Sequence, residues 1–171
     1  MLSEYIRVSF LGKSVWRLLL TPGRFFSKEG KTAHWGHALC LIFLSALLAS
    51  CAVFFLIKPS APWLSSGIFI FNGVGMILIS AAFGFLTMRL TQEAPISFGR
   101  LFSIYAFSGS LPMLISWLPG SFLASESWKW CLIGIGLTRG SKLLWRQALV
   151  VIAGSIGLTI LFFWSLMLFV Q

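Results

Sequence analysis

Three groups of residues in this sequence carry atoms that chemistry could use. His34, His37 and Cys40 read H-x-x-H-x-x-C, which one helix would place on a single side. A metal site needs three or four ligands and a supporting shell. The chain has no Asp, and Glu29 is the nearest acid, so the histidines read as interfacial residues at a membrane-entry turn, with no metal. Gly134-x-Gly136-x-x-x-Gly140 is glycine-rich, but it follows no strand and opens no phosphate-binding helix. It lacks the context that a nucleotide loop requires. Serines are frequent, yet no histidine or acid is placed to activate one, and a triad needs nucleophile, base and orienter within reach. The expectation is a protein without enzymatic activity and without a cofactor.

The remaining polar atoms lie in apolar surroundings. Asn72 is the only side-chain amide in the apolar part of any span. An amide in lipid finds a neighbouring helix or a ligand. Pro112 interrupts the apolar run from Leu101 to Leu118, where it removes a helix hydrogen bond and bends the helix. Ser108, Ser110 or a neighbouring helix is expected to serve the carbonyl so freed. Asn72, Ser80, Ser108 and Ser110 together could line a polar route, which is the alternative reading of a small channel, carrier or lipid transporter. Ion-coupled carriers place ionisable residues in their spans. Here Glu126 and Lys129 are the only charged residues inside a span, near the outer end of the fourth, and are spaced to pair on one helix face.

These residues must be positioned by elements that live in lipid. Of the 171 residues, 58% are hydrophobic and only 10% charged, and the mean hydropathy is +0.93. A soluble domain carries about 25% charged residues, so a water-facing surface could not be built from this chain. The fold class is all-α: an integral membrane bundle of five transmembrane helices, over about 35–57, 67–88, 101–118, 121–137 and 147–170. A loop over Pro59–Ser66 joins the first two spans, and Ser80-x-x-x-Gly84 and Gly154, Ser155 and Gly157 give two spans small-residue faces. Cys40, Cys51 and Cys131 all lie in apolar stretches and read as packing residues.

The segment 1–33 is read as a cytoplasmic, basic, N-terminal amphipathic helix lying in the membrane interface. Val8, Leu11, Val15, Leu18 and Leu19 share one face, with Tyr5 and Trp16 at its edge. Pro22 and Gly23 end it, and Arg24, Lys28 and Lys31 flank Phe25-Phe26. Its uses are to anchor and orient the chain or to dock a partner.

Net charge is +9, from 13 Lys+Arg against four acids. The basic residues fall between apolar runs, which fits loops facing anionic lipid rather than nucleic acid. The fourth span is the weakest by hydropathy, and charge decides it. With five spans and a cytoplasmic N-terminus, Arg7, Lys13, Arg17, Arg24, Lys28, Lys31, Arg89, Arg100, Arg139, Lys142 and Arg146 lie inside. Only Lys58 and Lys129 lie outside. Without that span Arg139, Lys142 and Arg146 would move outside, against the positive-inside rule. The C-terminus is then expected outside the cytoplasm. Arg7, Lys13, Arg17, Arg24, Arg89, Arg100, Arg139, Lys142 and Arg146 form a candidate contact surface for the anionic inner leaflet, for other membrane proteins or for a homo-oligomer.

Several short motifs occur in a recognisable order. Leu20-Thr21-Pro22-Gly23-Arg24-Phe25-Phe26 precedes the first span, and Pro95-Ile96-Ser97-Phe98 leads into Tyr105-Ala106 and Gly109-Ser110-Leu111-Pro112-Met113. Gly136-Leu137 is followed by Gly140-Ser141-Lys142 and then Gln147-Ala148. This order, over about residues 18 to 170, resembles the Yip (Ypt/Rab-interacting) family of membrane proteins in its short bacterial form. The resemblance implies a five-helix integral membrane protein with no established catalytic site, here in a bacterial inner membrane. Eukaryotic relatives associate with Rab GTPases in vesicle traffic through a longer cytoplasmic region. A bacterial member would have no Rab to bind, so the resemblance implies the fold and only faintly that role. Together with the charge placement and the small-residue faces, the expectation is a scaffold or a protein- and lipid-interaction factor in membrane organisation or traffic.

Overall fold

The computed structural model describes residues 15–32, 35–57, 60–93, 96–116, 118 and 120–170. Tyr5, Arg7, Val8, Leu11, Lys13, His34, Lys58 and Gln171 lie outside the described residues. Every regular element among the described residues is helical. Helix α1 covers residues 15–20, and α2 is Pro22–Thr32. Helix α3 is Trp35–Ala52, ending in a π turn at Val53–Ile57. Helices α4, Pro62–Thr91, and α5, Phe98–Ile115, follow. Helix α6 is Phe122–Ile135 with a π turn at Gly136–Gly140, and α7 is Trp145–Val170.

Four helices are long and apolar enough to cross a membrane: Trp35–Leu56, Pro62–Thr91, Phe98–Ile115 and Trp145–Phe169. The fifth expected span, 121–137, is a helix of 14 residues prolonged by its π turn of five. The span after the first loop starts earlier than its hydropathy suggests, at Pro62 rather than Gly67. Proline is preorganised for the first turn of a helix, where its missing N–H costs nothing. The loop expected over Pro59–Ser66 is correspondingly shorter. The last span likewise begins at Trp145, because Gln147 Oε1 accepts from the Leu144 N–H at 3.0 Å and closes the first turn.

The bundle is arranged around α5. Its best membrane window has the lowest mean hydropathy of the four, 1.2, yet 72% of that window is buried. Helix α7 has hydropathy 2.2 and only 11% buried. The helix rich in small and hydroxyl side chains thus goes to the centre, where close helix packing uses them, although the most apolar helix, α3 at 2.7, is itself 39% buried. All residues from Leu101 to Met113 are buried. Helix α3 meets α5 with Ala38, Leu41, Ile42, Ser45, Ala46 and Ala49, one face at helical spacing in which small residues recur. Gly109 of α5 admits Ile77 of α4 so closely that a Cβ there would collide with it.

Both small-residue faces read from the sequence are used, in part. Ser80 and Gly84 serve different neighbours: the Ser155 hydroxyl of α7 donates to the Ser80 carbonyl at 2.7 Å, and Gly84 leaves room for the Tyr105 hydroxyl of α5. Gly154 faces Thr87, whereas a Cβ at Gly157 would meet nothing within 4 Å among the described residues. Helix α5 runs through Pro112 to Ile115. The serines do not serve the carbonyl that Pro112 frees, which is that of Ser108. The Ser110 hydroxyl donates instead to the Phe107 carbonyl at 2.8 Å, and the buried Ser108 hydroxyl has no hydrogen-bond partner.

Candidate functional site

The polar residues singled out from the sequence divide into two places. Asn72 is exposed on the outer side of α4, while Ser80, Ser108, Ser110 and Pro112 are buried. The four polar groups considered for a route through the bundle therefore do not converge. Glu126 and Lys129 do pair as their spacing predicts, at 2.5 Å, with Lys129 Nζ 5.0 Å from the Trp130 ring centroid.

Two of the basic residues, Arg100 and Arg139, lie against a seat that no local pattern in the sequence announces. Thr21 breaks the helix between α1 and α2, and its hydroxyl and N–H both donate to the Arg17 carbonyl. Leu18, Phe25 and Phe26 are buried to 1% exposure or less and belong to the same core cluster as the bundle. Phe25 packs edge-on against Phe107 of α5, ring centroids 5.1 Å apart, and Phe26 stands edge-on to Phe25 at 5.4 Å. Trp16 and Leu20 of α1 remain exposed.

The seat is made by glycines. A Cβ at Gly136 would collide with Ile104 and press on the Phe26 ring, and one at Gly140 would lie 3.5 Å from the Phe26 carbonyl oxygen. Gly134, earlier on the same helix, receives Trp145 of α7. The glycine cluster rejected as a phosphate loop is thus a packing device, allowing α2 and α7 to approach α6. The sequence held the signal: Gly136 and Gly140 at one-turn spacing, and a Phe-Phe pair just after a Pro-Gly. What it lacked was the register between two segments more than a hundred residues apart.

The end of the π turn carries carbonyls that no later turn serves. Arg100 Nη2 donates to the Gly140 carbonyl at 2.9 Å, a charge-assisted bond at a helix C-terminus. That bond ties the start of α5 to the end of α6. At the opposite end, the Ser121 hydroxyl donates to the Ile115 carbonyl at 2.7 Å. Lys142, just past the π turn, adopts φ 58°, and the chain there reverses into α7.

Around this seat, Gly23 faces the Arg139 stem, with the position of its missing Cβ 3.9 Å from Arg139 Cγ. Arg24, Lys28, Arg139, Lys142 and Arg146 are exposed. Arg89, near the end of α4, lies 5.2 Å from the Phe85 ring centroid. Arg17 is exposed on α1. Of the contact surface expected from the sequence, Arg7 and Lys13 alone lie outside the described residues. No group of three or more His, Cys, Asp or Glu among the described residues could hold a metal ion.

A family model described as Yip1 domain matches residues 16–167, from α1 almost to the end of α7. No curated protein and no solved structure matches the chain.

Proposed function

This chain belongs to the Yip1 family, and from that premise we propose that it is a non-enzymatic scaffold of the bacterial inner membrane. It spans five times, with the N-terminus in the cytoplasm and the C-terminus outside. Its basic face gathers anionic lipid and, on it, other membrane proteins. The observation that carries this reading is the docked α2. Phe25 and Phe26 are held in the bundle core, so Arg24 and Lys28 are displayed on a fixed helix beside the π turn that bears Arg139. A fixed array of cations on the cytoplasmic side is a means of holding anionic headgroups, each Lys or Arg near such a surface contributing about 1 kcal/mol.

Two geometrical facts support the fifth span. Arg100 at the start of α5 reaches Gly140 at the end of α6, and Ser121 at the start of α6 reaches Ile115 at the end of α5. Helix α6 with its π turn thus returns along the whole of α5, roughly 27 Å at helical rise, close to a hydrocarbon core of about 30 Å. This return leaves the basic residues of α2, α5 and α6 at one end.

The test is reconstitution in phosphatidylethanolamine/phosphatidylglycerol vesicles with a fluorescent phosphatidylglycerol. Energy transfer from the protein should show enrichment of the anionic lipid at its cytoplasmic side. The combined substitutions Arg24→Gln, Arg139→Gln and Lys142→Gln should lower that enrichment severalfold. Uniform lipid mixing around the wild type would overturn the reading, as would solute flux through the purified protein.

A further inference from the structure

Asn72 is the one asparagine of the chain, and its amide is left outside the bundle. No hydrogen bond joins it to any described residue. Trp63 and Arg89 mark the two interfacial ends of α4, the residue types that sit at headgroup level. At about 1.5 Å per residue Asn72 lies roughly 13 Å along the axis from Trp63, within the hydrocarbon. Acyl chains offer an amide neither donor nor acceptor, and its side chain is too short to reach the headgroups. Trp63, Leu64, Gly67, Ile68, Phe71 and Asn72 line a shallow groove of about 520 Å³ on this face. Among the described residues, a Cβ at Gly67 or Gly75 would meet nothing within 4 Å, so another backbone can approach there.

We propose that this face of α4 is the interface with a second copy of the chain, the two Asn72 amides hydrogen-bonding to each other across a two-fold axis. The membrane supplies the argument for that occupant. All copies of an inserted protein share one orientation, so a two-fold axis between neighbours runs along the membrane normal. Such an axis makes the contact isologous and sets each residue at the same depth as its own equivalent, directly opposite it where the residue lies on the axis. An amide is both donor and acceptor, hence self-complementary in that geometry. A second copy therefore presents the same self-complementary amide at the level of Asn72. This inference is independent of the scaffold reading, since it needs only that α4 spans the bilayer.

The experiment uses the full chain in phosphatidylethanolamine/phosphatidylglycerol vesicles. Donor- and acceptor-labelled copies are mixed, and energy transfer is followed on dilution with lipid. The wild type should associate, Asn72→Leu should weaken association about tenfold, and Asn72→Gln should retain most of it. Asn72 faces outward, so these substitutions leave the packed core untouched. In a chain with Cys40, Cys51 and Cys131 replaced by Ser, Gly75→Cys should form a disulfide-linked dimer on oxidation, and Ile160→Cys on α7 should not. The proposal is overturned by a monomer at every dilution, by association that Asn72→Leu leaves unchanged, or by cross-linking stronger at position 160.

Discussion

Replacing Phe26 by Ala tests the seat of α2 and has a magnitude that can be worked out. Phe26 is 1% exposed and fills the space over Gly136 and Gly140. In a water-soluble core such a truncation costs about 3–5 kcal/mol, the sum of a transfer part and a cavity part. Here the alternative home of α2 is the membrane interface, where a Phe ring is also sheltered from water. Most of the transfer part then cancels, as it does between helices in lipid. What remains is lost packing, about 1–2 kcal/mol, or roughly a tenfold rise in the undocked population. Hydrogen–deuterium exchange of the protein in lipid nanodiscs reads that population directly. The α2 amides should exchange about tenfold faster in Phe26→Ala while those of α5 stay protected. Leu20→Ala, at a position 62% exposed, should leave α2 protected. Gly136→Leu, which crowds the seat from the other side, should undock α2 at least as strongly. Unchanged α2 exchange in both Phe26→Ala and Gly136→Leu would refute the seat.

Other substitutions probe the centre of the bundle. The Tyr105 hydroxyl is buried beside the Ser155 side chain without a well-formed hydrogen bond, so Tyr105→Phe should leave thermal stability in detergent unchanged or slightly raised. Gly84→Ala places a methyl group against that hydroxyl and should destabilise the wild type more than it destabilises Tyr105→Phe, giving a measurable coupling in a double-mutant cycle. Ser155→Ala removes the bond to the Ser80 carbonyl and should cost about 0.6 to 1.7 kcal/mol, read as loosened α4–α7 contact by exchange.

The parts of this molecule that were legible in the sequence are those that depend on composition and local period. Long apolar runs marked the helices, and their ends moved only where Pro62 and Gln147 add a turn chemistry that hydropathy does not weigh. The i,i+3 pair of Glu126 and Lys129 and the small residues Ser80, Gly84 and Gly154 were also readable, because each is a local pattern. The centrality of α5 could be sensed from its proline and serines, since an interior helix in lipid is the less apolar one. The seat was not readable. Phe25 and Phe26 look alike whether they dip into lipid or into a protein cleft, and only the juxtaposition of α2 with Gly136 and Gly140 distinguishes the two. Asn72 was legible only in part: its type predicts a partner helix, but nothing local says that it is exposed against the described helices of its own chain.

The proposed single basic face depends most directly on α6 crossing the bilayer, which would set the basic residues of α2, α5 and α6 on one side. Single cysteines placed at Arg24, Ser121 and Arg146, in a chain with Cys40, Cys51 and Cys131 replaced by Ser, can be labelled with an impermeant maleimide in right-side-out and inverted vesicles. Arg24→Cys and Arg146→Cys should label only from the cytoplasmic side, and Ser121→Cys only from the other. Labelling of Arg24→Cys and Arg146→Cys from opposite sides would contradict the five-span arrangement and, with it, the single basic face.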